Sequence, residues 1–542
     1  MKSSRVVIVL VVLFSCPALI AQKNEIKRAK KLERAQQLFE QFDYPGALRL
    51  YEEIAKEQDD QFVDIQVATC YRNIGNLVLA EEWYRKAALG KLPLEVQYDF
   101  AEVLLSNGKT GEAQQQYKLY LQEAPGDTRV KNRLASIANF KDLHKNTDTY
   151  DIRPTEINSP YSDFGPVFYD EGIIFASARE EVPRGKRYSR TNSAYLDLFF
   201  SKYDENGRLG TPEKLTKSIN SKYHEGPATL YEDGTKMIFT RNNFDPKTSE
   251  KTDKTVRLQL FYSQKEENGN WGKPELIQLS DEKYSVGHPS VSKDGKTLYF
   301  SSNMPGGMGG TDLYMSRFEG STWGTPKNLG ETINTKGNEM FPFIHEDASL
   351  YFASDGHGGL GGLDIYKAAP GLASAPQNLG APVNSPRDDF AFVMNSTGDF
   401  GYFSSNRTGG TGDDDLYQFT VRPPAPPVEP AEADSVVLAK NEPEYVYTVQ
   451  ILALLNPITV DKSFLQDLEG VLKHDGKDGF HRYTFGEYTG LDNALETLGK
   501  IRDKGYEDAF IRKVKRYSEL SYGPGKDVEK LYLSEKDQKP VL

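Results

Sequence analysis

The chain has 542 residues, 38% hydrophobic and 27% charged, with a formal net charge of −12. At roughly 150 residues per domain that length predicts three or four domains, and the apolar share excludes a wholly disordered chain. The acidic balance excludes a phosphate-gripping nucleic-acid binder, and the two cysteines, Cys16 and Cys70, exclude a disulfide framework or a cysteine-based zinc site.

The N-terminus reads as an export signal. Lys2 and Arg5 precede an apolar run over residues 6–14, well short of the about 20 residues that span a bilayer. Cleavage after Ala21 is expected, because helix-forming sequence begins almost at once after it, and it would release a periplasmic protein. The alternative precedes Cys16 in Leu13-Phe14-Ser15-Cys16, a loose lipobox, and would give an outer-membrane lipoprotein.

Residues 22–147 are repetitive. Ala47, Ala80 and Ala113 recur at a spacing of 33 residues, each followed four residues later by Tyr51, Tyr84 and Tyr117. Ala35, Ala68 and Ala101 stand twelve residues before them. Small residues at those places let two helices approach closely. The pattern resembles tetratricopeptide repeats, in three copies with a capping helix near 127–143. The resemblance implies an α-solenoid with a protein-binding groove.

At Thr149 helical periodicity stops, and short strands with Gly, Asn and Asp turns take over. One phrase recurs five times: an inner Phe/Gly/His-Pro pair, an apolar strand, a Gly-rich loop, then a third strand. The pairs are Gly165-Pro166, Gly226-Pro227, His288-Pro289, Phe341-Pro342 and, without proline, Phe390-Ala391. The third strands open at Asp197, Gln259, Asp312, Asp364 and Asp415. Four short strands per repeat predict a five-bladed β-propeller over residues 149–422, with six blades as the alternative. The last repeat lacks a fourth strand, so Tyr150–Ser159 is expected to complete it and close the ring. The loops Gly306-Gly307-Met308-Gly309-Gly310 and Gly358-Gly359-Leu360-Gly361-Gly362 resemble those of TolB-type propellers in Bacteroidota envelope proteins.

The loops lack the following helix that a phosphate cradle needs. Asp413, Asp414 and Asp415 form the best local cation candidate. The recurrence of the aspartate from blade to blade points instead to a turn-capping role, so no metal or other cofactor is expected. No non-repeating carboxylate pair stands out for glycoside hydrolysis. The seven histidines form no HExxH motif and there is no G-x-S-x-G, so no catalytic residue and no enzyme activity is expected.

Residues 423–444 are a Pro-rich linker. Over 445–516 the pattern predicts strand, helix (Ser463–Lys473), strand (Phe480–Tyr488), helix (Asp492–Lys504) and strand (Asp508–Val514), followed by a tail over 517–542. The landmarks Val449-Gln450, Gly479-Phe480-His481-Arg482-Tyr483 and Ala509-Phe510-Ile511 resemble the SPOR domain, which binds septal peptidoglycan stripped of its stem peptides. That resemblance implies glycan binding through Gln450, Phe480, Arg482 and Ile511, with Phe480 in place of the more usual Trp and Ala453 in place of a hydroxyl residue. The whole chain is expected to be multidomain: solenoid, five-bladed propeller, linker and small α/β module. The expected function is a non-enzymatic periplasmic scaffold. It would hold peptidoglycan glycan through the last module, and envelope or outer-membrane proteins through the solenoid and propeller. It resembles proteins associated with type IX secretion and gliding. A glycan-active or glycan-sensing propeller enzyme is the alternative.

Overall fold

The computed structural model describes residues 17–145, 147–180, 187–243, 257–279, 283–372, 374–422, 445–454, 471–475, 481–506 and 509–515. They fall in two compact units, residues 1–424 and 425–542. The apolar run 6–14, Cys16, the linker and the tail lie outside the described residues.

The first unit opens with eight helices, α1 Pro17–Glu40, α2 Tyr44–Ala55, α3 Gln61–Asn73, α4 Leu77–Ala87, α5 Leu94–Ser106, α6 Thr110–Glu123, α7 Thr128–Ala138 and α8 Phe140–Leu143. Local chemistry sets several starts: the side chains of Asp43, Asp60, Asn76 and Asp127 accept from free backbone N–H groups of the first turns of α2, α3, α4 and α7. Ala47, Ala80, Ala113, Tyr51, Tyr84 and Tyr117 are fully buried between helices.

The expectation of a tetratricopeptide solenoid as a domain in its own right is corrected. Small four-stranded sheets dominate the chain, and the few helices share one compact unit with them. The physical reason lies in α7 and α8. The fully buried Arg133 guanidinium donates to the Gly362 carbonyl at 2.9 Å, and Asn132 Nδ2 donates to the Gly356 carbonyl at 2.8 Å. Gly359 N donates to Ser136 Oγ at 2.8 Å, and Ala381 N to the Leu143 carbonyl at 2.7 Å. The end of the helical array is thus hydrogen-bonded to the sheets.

Five four-stranded antiparallel sheets follow. Their inner strands are β2 Asp163–Tyr169, β6 Glu225–Tyr231, β10 Val286–Val291, β14 Glu339–Ile344 and β18 Asp389–Met394. Each inner strand neighbours the next, and the last returns to the first, so the sheets form a closed β-propeller. Four blades end in a two-residue outer strand, such as β5 Glu213–Lys214. The fifth is completed by β1 Tyr150–Pro154, which pairs antiparallel with β20 Asp415–Val421, Tyr150 opposite Val421 and Pro154 opposite Tyr417. The expected closure is present, carried by residues 150–154 with Thr155 N continuing onto the Leu416 carbonyl at 3.0 Å.

Every inner strand breaks register once, between Phe164 and Val167, Glu225 and Ala228, Gly287 and Ser290, Met340 and Phe343, and Phe390 and Val393. In four blades these breaks hold the X-Pro pairs of the repeated phrase. Proline has no N–H to give to a ladder, so the pair is extruded as a bulge. In blades 1, 3 and 4 the residue before the proline turns to positive φ, +68° at Gly165, +53° at His288 and +53° at Phe341; in blade 5 Ala391 sits at +51°.

The second unit holds β21 Tyr445–Leu454, β22 Val471–Asp475, β23 His481–Tyr488, α9 Leu491–Asp503 and β24 Phe510–Lys515. The sheet order is β22-β23-β21-β24. Most of the expected helix Ser463–Lys473 lies outside the described residues, but its end is corrected: 471–473 belong to a strand. Val471 pairs with Phe485 and packs on the core of Val449, Tyr483, Leu498 and Ile511. A β-branched residue facing a core across a sheet edge outweighs a helical leucine spacing.

Phe419 is fully buried on β20 and stacks on Phe392 with ring centroids 4.7 Å apart. Phe419→Ala should therefore cost about 3–5 kcal/mol of propeller stability. Phe318→Ala, at a side chain 42% exposed, should cost under about 1 kcal/mol. Urea unfolding of both variants checks the contrast.

Candidate functional site

A cavity of about 530 Å³ runs along the ring axis, lined by the inner strands of all five blades. Its lining begins at the bulges, with Gly165, His288, Phe341 and Ala391 among them, and continues to the hairpin turns, with Asp170, Glu232, Asp233, Lys293 and Glu346. At the bulge end an aromatic floor crosses the axis. The His288 imidazole lies flat on the Phe341 ring, centroids 3.8 Å apart and planes 9° apart. Phe341 meets Phe390 at 4.8 Å, and Phe390 meets Phe164 at 6.0 Å. Burial pushes the His288 imidazole down to about 3, so it is neutral at physiological pH, with Nδ1 3.0 Å from Ser301 Oγ. At the turn end the rim is charged, and Lys293 Nζ pairs with Glu346 at 2.5 Å. The floor is apolar because two positive-φ bulge residues, His288 and Phe341, carry rings that stack on each other; the rim is polar because hairpin turns face water.

The repeated carboxylates have other duties. Asp163, Glu225 and Asp389 are fully buried at the starts of inner strands. They pair with Arg179 at 2.7 Å, Arg241 at 2.9 Å and Arg407 at 2.5 Å. Each also accepts a backbone N–H from four residues earlier, Ser159, Ser221 and Ser385. Asp312, Asp364 and Asp415 fold the glycine loops onto themselves. Asp364 accepts from Leu360 N at 2.7 Å, Gly361 N at 2.9 Å and Asn378 Nδ2 at 2.7 Å. The turn-capping role expected for these aspartates is what their hydrogen bonds perform. Among the described residues no group of three or more His, Cys, Asp or Glu side chains is placed to hold a metal ion.

Blade 4 departs from this scheme. Gly356 stands where blades 1 and 5 carry Arg179 and Arg407, and a Cβ there would lie 1.8 Å from Thr335 Oγ1. The fully buried Glu339 carboxylate therefore has no arginine. It accepts from Thr335 N at 2.8 Å, Thr335 Oγ1 at 2.7 Å and Ser354 Oγ at 2.7 Å, and burial pushes it up to about 7.

In the second unit three of the four residues expected to bind glycan are described, and these three do not share one surface. Gln450 pairs across the sheet with Thr484 and Phe510, and Arg482 lies two residues from Thr484, so Gln450 and Arg482 share a sheet face. Gln450 is only 5% exposed, and its Oε1 accepts from Arg512 Nη1 at 2.7 Å. Ile511 is fully buried on the opposite face, against Val449 and the α9 residues Ala494 and Leu498. Phe480 lies outside the described residues. Ile511 is therefore a core residue, because pairing with Val449 turns it towards the helix.

Sequence reasoning missed the floor of the axial cavity. The signal was present in the phrase itself: the residue before proline is glycine in blades 1 and 2 but His288 and Phe341 in blades 3 and 4.

No family pattern matches the sequence. No curated protein matches it either. Among solved structures, the chain is similar to an RS223 β-xylosidase, with 11% identity and a TM-score of 0.33 over 50% of this chain and 94% of that one. It is similar to the arabinanase Arb43A of Bacillus subtilis, with 12% identity and a TM-score of 0.32 over 50% and 96%. A puromycin-hydrolysing peptidase of Mycobacterium tuberculosis matches at 17% identity and a TM-score of 0.27 over 47% of each chain. At these values no residue role transfers from any of them. The structures found are hydrolases, by name a β-xylosidase, an arabinanase and a peptidase, and so run against the expectation of a non-enzymatic scaffold without assigning an activity to this chain.

Two outcomes follow from the buried polar groups. A carboxyl raised from an ordinary value near 4.5 to about 7 in the folded state holds its proton there after the unfolded chain has lost it. Its contribution is present at low pH and is lost as pH rises from about 4.5 through 7. Asp364 and Asp414, also pushed up to about 7 by burial, act in the same direction. Glu339→Gln should flatten the fall in stability between about pH 5 and 8 by on the order of 1–3 kcal/mol, read from melting curves across that range. Gln450→Ala removes an acceptor from the Arg512 guanidinium and should cost about 1.5–3 kcal/mol in denaturant unfolding of the second unit.

Proposed function

We propose that the propeller is a glycan-active or glycan-sensing body that takes a saccharide into its axial cavity. The observation that carries this reading is the pairing, in one cavity, of a flat apolar floor, His288 on Phe341, with a rim of charged side chains. A sugar ring has an apolar C–H face suited to an aromatic surface, and its hydroxyls suit charged and amide partners. The volume falls within the roughly 300–1,000 Å³ usual for small-molecule sites. Glycoside hydrolysis needs a carboxyl acid and a second carboxylate. Asp170, Glu232, Asp233 and Glu346 are the carboxylates that line the cavity. The leader-like N-terminus supports an exported location, and the glycan of the cell wall is the partner we propose there.

Titration calorimetry of the full chain with xylotetraose and chitotetraose, with reducing ends assayed in parallel, tests the reading. Phe341→Ala should keep the fold, since Ala391 already occupies the equivalent bulge with the same positive φ. It should weaken binding by about 5–10-fold, the loss of one aromatic contact. Glu232→Gln should lower any release of reducing ends while leaving binding within about twofold. A chain that binds neither saccharide, or binds it equally well as Phe341→Ala, overturns the proposal.

A further inference from the structure

A second cavity, of about 340 Å³, lies within the first unit where the helical array meets blades 4 and 5. Its lining includes Arg72, Tyr98 and Glu102 from the array, Arg190 from blade 1, Asp355 from blade 4 and Asp388 at the start of blade 5. It is built differently from the axial cavity. Charges of both signs face one small space, and the buried Nε of Arg72, a lining residue, lacks an acceptor.

Arg72 Nε, Arg133 Nη1 and Arg387 Nε are buried and have no hydrogen-bond partner. Arg72 lines the cavity, while Arg133 and Arg387 bridge array and propeller outside its lining. Arg72 pairs with Asp99 at 3.0 Å. Arg133 holds Glu102 through Nε at 3.1 Å and Nη2 at 3.0 Å, leaving Nη1 unused. Arg387 Nη2 reaches Asn107 Oδ1 at 3.3 Å across the seam. A buried donor without an acceptor costs about 1–3 kcal/mol, so Arg72 Nε, on a side chain that lines the cavity, would gain from an acceptor placed there. Arg190 is exposed, lies 5.9 Å from the centroid of the Tyr44 ring, and has no carboxylate partner among the described residues. The acidic side is equally ready. Asp355 accepts from Asn338 N and Nδ2 at 2.6 and 2.8 Å, and Asp388 from Leu363 N and Asn406 Nδ2 at 2.9 Å each. A carboxylate offers about four lone-pair sites, so both keep acceptor capacity. These bonds also hold the two carboxylates in place.

We propose that this cavity binds a small zwitterion of dipeptide size, its carboxylate on Arg72 and Arg190 and its ammonium on Asp355 and Asp388. A simple anion would face three carboxylates, and a simple cation would face the guanidinium groups; a ligand carrying both charges meets each with its opposite. Planar guanidinium groups match a carboxylate bidentately, and the volume lies at the small end of ligand sites. In blade 4 Gly356 takes the place of the arginine of blades 1 and 5, its carbonyl accepts from Asn132, and its neighbour Asp355 lines the cavity. The ligand would touch array and propeller at once and stabilise their junction. This site is independent of the axial cavity.

Calorimetry of the full chain with L-alanyl-L-alanine, acetate and ethylammonium tests it. The dipeptide should bind at least about tenfold more tightly than either single-charge probe, and Arg190→Gln should weaken it about tenfold. Arg190 is exposed, so that variant should fold normally. Ser106→Phe, which places a large side chain in the cavity, should abolish dipeptide binding. Phe341→Ala, in the axial cavity, should leave it unchanged, which separates this site from the saccharide site. No dipeptide heat at millimolar concentration, acetate binding as tightly as the dipeptide, or an unaltered affinity in Arg190→Gln would each overturn the proposal.

Discussion

The whole first unit depends on one strand pairing. Tyr150–Pro154 adds to the outer edge of the fifth blade, five residues in register with Tyr417–Val421. Without it, the fifth sheet would end in the open edge of β20, and the first and last blades would be joined by side-chain packing and isolated hydrogen bonds such as Asp163 N to the Asp414 carbonyl at 2.8 Å. With it, the start of the propeller chain is tied to its end, and separating the two must break a ladder and expose Tyr150 and Ile152 from the core around Phe392 and Phe419.

The same closure places the helices. Only six residues separate Leu143, the end of α8, from the closing strand, so the array cannot wander from the rim of blades 4 and 5. The Arg133, Asn132 and Ser136 contacts to the glycine loop of blade 4 follow from that short tether. They need the loop backbone to come very close. Gly358 has φ +96°, and a Cβ there would sit 2.6 Å from Ser136 Oγ. A glycine-rich loop therefore serves here as a docking surface for a helix, with an aspartate folding it from inside.

Propeller symmetry separates structural from distinctive groups. Three inner-strand carboxylates are locked by arginines in the same way, which marks them as parts of the blade. The positions that break symmetry are His288 and Phe341 at the bulges, and Glu339 and Gly356 in blade 4. The first pair shapes the axial cavity. The second leaves an arginine-free carboxylate and brings the helical array against the sheet.

Much was legible in the sequence. The repeated phrase predicted five four-stranded sheets and the strand that closes them, because alternating apolar residues and X-Pro pairs obey local rules of pleat and bulge. The capping role of Asp312, Asp364 and Asp415 was legible for the same reason: their bonds span three or four residues. What the sequence could not supply is decided by contacts between residues far apart in the chain. The helical repeats read as a separate solenoid, since nothing local to α7 reveals that Arg133 reaches a carbonyl at Gly362. Ile511 read as a glycan contact, yet its strand register turns it into the core. Gln450 read as a glycan contact too, yet Arg512, on a different strand, donates to its Oε1. The stacking of His288 on Phe341 joins residues 53 positions apart. Periodicity reports which face a residue shares with its neighbours along the chain, whereas only the closed ring determines which faces meet.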